Sequence, residues 1–198
     1  VVVDAAPACT GDAGTMSRVA AALVAIASIG ASLGASIGAA FAAQPLGSHQ
    51  HGVVQLDIAV DANRISVQMS SPLDNLLGFE RAPRNEAERA RVAAMLAALK
   101  SSPFVVDPAG ACRAGAVQLS SAALKLGEPD PAEQQAGHAD LDASFEFECS
   151  SAARAGFIDT SLFERFAGIQ RIDVQLATSR GQRKLTLTRP AQRIVLPR

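Results

Sequence analysis

The sequence predicts an α+β fold: a largely antiparallel sheet of about six strands, packed with one long helix and one short helix. Three observations carry that prediction. Apolar and polar residues alternate in VVQLDIAVDANRISVQMS, from Val53 to Ser70, and again in HADLDASFEFEC, from His138 to Cys149. One long segment, NEAERARVAAMLAALK, instead places its apolar residues at helical spacing. Turn-forming residues divide the remainder into short elements, with no internal repeat of solenoid length.

After a short lead over residues 43–50, the first strand puts Val54, Leu56, Ile58 and Val60 on one face. The second continues with Ile65, Val67 and Met69, and Asp61-Ala62-Asn63 between them is of hairpin length. SPLDNLLGFERAP is punctuated by Pro72, Gly78 and Pro83, which predicts an ordered crossing loop with one helical turn. The long helix starts at an Asn85 cap, with Glu88 placed as in a capping box; Val92, Met95, Leu96 and Leu99 form its apolar stripe. Lys100 suits the C-terminal dipole and Pro103 limits continuation. Further strands are expected near residues 116–119 and 124–126, and over 138–149. In the last of these Leu141, Ala143, Phe145, Phe147 and Cys149 face inward, with His138, Asp140, Asp142, Ser144, Glu146 and Glu148 outward. SLFERFAG reads as a short helix with Ser161 and Glu164 as a second capping box and Gly168 as its stop. RIDVQLAT and RKLTLTR close the chain as a hairpin around Ser179-Arg180-Gly181.

Residues 16–42 have the layout of a secretory signal peptide. Arg18 supplies the positive start, Val19 to Ile29 the apolar centre, and Ala40-Phe41-Ala42 a small-residue cleavage site. Residues 1–15 carry neither apolar period nor targeting chemistry, and read as a translation start placed too far upstream or a disordered lead. The expectation is a single periplasmic α+β domain over residues 43–198, attached to the membrane only if the leader is uncleaved.

Setting aside Arg18, Asp4 and Asp12 leaves equal numbers of basic and acidic residues in that domain. A balanced chain lacks the concentrated basic face that counterion release requires, and Trp and Tyr are both absent, so nucleic acid is not an expected partner. The two cysteines of the domain, Cys112 and Cys149, read as a disulfide in an exported chain.

Residues two apart on a strand project from one face. His49-x-His51 meets that spacing, and His138-x-Asp140 repeats it with a carboxylate. Three imidazole nitrogens and one oxygen suit a tetrahedral Zn²⁺. Both pairs sit at strand starts. Antiparallel neighbours would put His51 near Cys149 and far from His138, so a joint site requires parallel neighbours or a folded-back lead. The simpler reading of the same histidines is the polar edge of a sheet. The acidic ladder Asp140, Asp142, Glu146 and Glu148 reads as a solvated strand face. No G-x-S-x-G, Walker loop or G-x-G-x-x-G is present, so no enzyme activity is expected; an envelope hydrolase would need converging carboxylates in a concave pocket.

Three segments together resemble a known family: HQHGVVQLDIAVDANRISVQMSSPLDNLLGFERAPRNEAER, GHADLDASFEFEC and SLFERFAGIQRIDVQ. They are similar to bacterial periplasmic proteins typified by the zinc-regulated, zinc-binding ZrgA type, formerly a domain of unknown function. SPLDNLLGFE is the most specific part, since general fold physics does not demand that order. The resemblance implies an exported protein that binds zinc and assists its acquisition or storage, with an ABC-type importer as partner. Carried over by position, it makes His51 and His138 the leading ligands, then His49, then Asp140 and Glu80. This chain departs from the family at residues 128–137, where EPDPAEQQAG replaces a His/Asp/Glu-rich stretch. It departs again at Arg81, which stands where GFEH would place a histidine, and at Gln50, which replaces a frequent acidic residue. At most one ion is expected. The alternative is a metal-free accessory subunit of an envelope transporter.

Overall fold

The described residues form nine strands in two sheets, three more strands than the sequence patterns mark. The computed structural model describes residues 50–128 and 139–197; the expected signal segment over residues 16–42, His49 and His138 lie outside them. The strands are β1 (Val53–Val60), β2 (Arg64–Pro72), β3 (Phe104–Val106), β4 (Cys112–Ser120), β5 (Asp140–Cys149), β6 (Phe157–Thr160), β7 (Arg171–Thr178), β8 (Gly181–Thr188) and β9 (Arg193–Val195). The α-helices are α1 (Leu73–Leu77), α2 (Glu86–Lys100) and α3 (Leu162–Arg165). A six-stranded sheet runs in the order β4-β5-β2-β1-β7-β8, and a three-stranded sheet in the order β3-β6-β9. Every pairing is antiparallel except β1 with β7, which are parallel from Val53↔Arg171 to Val60↔Thr178.

The alternating residues lie where the pattern put them. Val54, Leu56, Ile58, Ile65, Val67 and Met69 are buried, as are Leu141, Phe145 and Phe147 of β5 and Ile172, Val174 and Leu176 of β7. Burial of each such side chain stabilises the fold by roughly 1.5–3 kcal/mol, before ordering entropy is subtracted. Against this inner face pack Met95 and Leu99 of α2, and Phe104, Ile158 and Ile194 of the smaller sheet. The Phe104 and Phe145 rings meet edge to face at 5.0 Å, joining the two sheets. The Asp61 N–H donates to the Arg64 carbonyl and closes the first hairpin as expected. Cys112 and Cys149 are directly opposed on β4 and β5 and form the expected disulfide.

Three local assignments along the chain differ from the sequence patterns. Residues 124–126 form no strand: Leu126 makes only an isolated bridge to Ser121 across a tight turn. The second capping box does not form. Ser161 Oγ donates to the Pro103 carbonyl and accepts from Arg165 Nε, while Glu164 accepts from Gln192. Gly168 is not the helix stop either, because α3 ends at Arg165. A Cβ at Gly168 would lie 2.5 Å from the Asn75 carbonyl oxygen, so glycine there permits close approach of two backbones.

Candidate metal centre

The rim at which β1 begins is also where β2 ends and β5 begins, because β1 and β5 are both antiparallel to β2. They are therefore parallel to each other, one strand apart. They share the polarity a joint histidine site requires, but β2 separates them, so they are not the parallel neighbours that the sequence pattern called for. The disulfide lies at the opposite rim, where the Cys149 N–H donates to the Asn63 carbonyl.

SPLDNLLGFE builds the rim. Pro72 ends β2, and α1 follows as five residues capped by Gly78 in the left-handed conformation at φ 79°. Leu73, Leu77 and Phe79 anchor the segment in the core. Asn75, only 3 % exposed, clasps the start of β1: its Oδ1 accepts from the Gly52 N–H, and its Nδ2 donates to the Val53 carbonyl at 2.8 Å. Nδ2 also lies 3.3 Å from Ser71 Oγ. The Gly52 carbonyl meanwhile accepts from the N–H groups of Gln170 and Arg171. Gly52 takes φ 81°, a conformation that favours glycine, and the chain turns there to bring His51 over α1.

His51 thus arrives beside Asp74, with Nδ1 2.8 Å from Asp74 Oδ2 and Nε2 3.7 Å from Glu80 Oε1. The ring is 67 % exposed and the two carboxylates 37 % and 42 % exposed, so the cluster faces solvent. The hydrogen bond to Asp74, then the negative charges of Glu80 and Asp74, raise the His51 pKa above its ordinary 6.5. An ion bonded to nitrogen and oxygen at about 2.0–2.2 Å separates them by roughly 3.4 Å at a tetrahedral angle. The Nε2–Glu80 gap is close to that span. The Nδ1–Asp74 contact is too short for it and is a direct hydrogen bond.

The loop that carries Glu80 is tied to α2. Arg81 donates to both oxygens of Glu88 at 2.7 and 2.9 Å and lies over the Phe79 ring. Glu88 also accepts from the Arg84 N–H, and the Asn85 side chain caps Glu88 N as expected. Held mainly by the Arg81 hydrogen bonds, the Glu88 carboxyl is lowered to about 2. Arg81, which stands where the resembled family frequently has a histidine, therefore acts as a strut for the loop.

Of the sequence-nominated residues, the structure brings His51 and Glu80 together. Asp140, expected to face outward, opens β5 opposite Pro72 and is 7 % exposed, so it is buried, whereas Asp142 and Glu146 are half-buried and Glu148 is exposed. Ala139 accepts from the Leu73 N–H, one residue from Asp74, and its chain neighbour His138 lies outside the described residues, as does His49. Among the described residues, no three His, Cys, Asp or Glu side chains form a metal-holding group. Asp74 and Asn75 were missed by the sequence reading. The signal was there: an Asp-Asn pair within a run whose order had no explanation in fold physics alone.

The described residues thus form a disulfide-linked α+β domain that presents an imidazole between two carboxylates at the rim of its larger sheet. Among the described residues no helix is long and apolar enough to cross a membrane. The chain belongs to the ZrgA family of zinc uptake proteins, whose family model matches residues 48–196. No curated protein sequence matches the chain significantly. The family name implies a role in zinc acquisition, and it is not the name of an enzyme family.

Proposed function

We propose that this protein is an exported, single-ion zinc-binding domain that captures Zn²⁺ for uptake. His51 Nε2 and Glu80 supply two donors, His138 a third, and His49 or Asp140 completes the shell. The observation that carries this reading is the His51 ring, held by Asp74 through one nitrogen while the other faces Glu80 across a gap of ion-bridging size. Nitrogen and oxygen donors in this proportion suit Zn²⁺. Shared strand polarity supports His138 as the distant ligand: Ala139, its chain neighbour, is bonded to Leu73 at the same rim. Zinc is the cargo here, and its route inward requires a membrane carrier, for which an ABC-type importer is the proposed partner.

Export through residues 16–42 and a periplasmic location complete the proposal. A disulfide between Cys112 and Cys149 fits an oxidising compartment. Calorimetric titration of the oxidised protein with Zn²⁺ tests the binding. One ion is expected to bind at micromolar metal or below, with the signal lost in His51→Ala and in His138→Ala. Binding that survives both substitutions would refute the assignment.

A further inference from the structure

The contact between Asp74 and His51 has its own chemical consequence. We propose that Asp74 is a positioning residue that locks His51 in the tautomer bearing hydrogen on Nδ1, leaving the Nε2 lone pair turned toward Glu80. The functional consequence rests on the zinc reading above; the tautomer does not.

A neutral imidazole carries one N–H, and a carboxylate can only accept. With Asp74 Oδ2 2.8 Å from Nδ1, hydrogen on Nδ1 makes a charge-assisted bond. The other tautomer would set the Nδ1 lone pair against that carboxylate. It would aim its N–H at Glu80, which at 3.7 Å is beyond hydrogen-bond reach. Asp74, the one carboxylate of the two within hydrogen-bond reach of the ring, therefore sets the tautomer. Asp74 holds its place independently of the ring, since its neighbour Asn75 clasps Gly52 and Val53 and Gly78 N–H closes α1 onto the Asp74 carbonyl. An outer carboxylate that orients a ligating histidine is worth roughly 10–100-fold in metal affinity.

Long-range ¹H–¹⁵N NMR of the metal-free, oxidised protein, at a pH high enough that the His51 ring signals no longer move with pH and the imidazole is neutral, reads the His51 tautomer directly. Asp74→Asn can turn its amide N–H toward Nδ1 and favour the opposite tautomer, while Asp74→Ala leaves the ring without a partner. The Gly52 amide resonance reports whether the Asn75 clasp is intact in each variant. Wild type should show hydrogen on Nδ1, and both variants should lose that preference and bind Zn²⁺ roughly 10–100-fold more weakly. Hydrogen on Nε2 in the wild type, or variants that keep its tautomer or its zinc affinity, would overturn the proposal. A wild type with the expected tautomer and no zinc binding would refute the zinc reading, and leave Asp74 as the residue that orients the ring.

Discussion

Replacing Asn75 with Ala should destabilise the domain and loosen the rim together. The side chain is buried and holds two main-chain groups of the turn into β1, the Gly52 N–H and the Val53 carbonyl. Leaving a buried polar group without a partner costs about 1–3 kcal/mol. With both groups affected, and some relaxation allowed, the expected loss is about 2–4 kcal/mol. Urea unfolding of the oxidised protein reads this as a lower midpoint at unchanged slope. Hydrogen exchange adds a local readout: the Gly52 amide should be protected in the wild type and exchange much faster in the variant. A stability change under about 0.5 kcal/mol, the range of an ordinary surface substitution, would refute the clasp. So would an unaltered Gly52 exchange rate.

Three further outcomes follow from the same geometry. Gly168→Ala should cost about 1–3 kcal/mol by urea unfolding, because its Cβ would meet the Asn75 carbonyl at 2.5 Å; Gly78→Ala, where the space is open but φ is 79°, should cost nearer 1 kcal/mol. Glu88→Gln should lower stability at neutral pH. Because the folded carboxyl is depressed to about 2, its contribution is present above the ordinary carboxylate range and fades as pH falls toward 2, so acid unfolding curves of variant and wild type should converge there. Zinc must displace the His51 proton, and the raised pKa means that calorimetric affinity should begin to fall above pH 6.5 as the solution is acidified. A decline that begins only below 6.5 would contradict the Asp74 and Glu80 contacts.

What could be read from the sequence was whatever repeats at a fixed period or sits at a capping position. The alternation in β1, β2, β5 and β7 and the stripe of α2 placed the inner face, because each element is long enough to show its period. β3, β6 and β9, of three or four residues, show none, and they pair with partners far along the chain. The parallel β1–β7 pair was equally hidden, since strand order depends on packing rather than on local pattern. Ser161 and Glu164 had the right spacing for a capping box, but Pro103, Arg165 and Gln192 offered competing partners. His51 and Glu80 were legible through family resemblance. The reason for their meeting was not, because it lies in Asn75, Asp74 and Gly168, whose contacts are tertiary.

The most direct test of the zinc reading is an anomalous difference map at the zinc edge from crystals grown with Zn²⁺. One peak about 2 Å from both His51 Nε2 and a Glu80 oxygen, with His138 in the same shell, is the expected result. A peak bound elsewhere, or a His51 ring that contacts no metal in a zinc-saturated crystal, would contradict it.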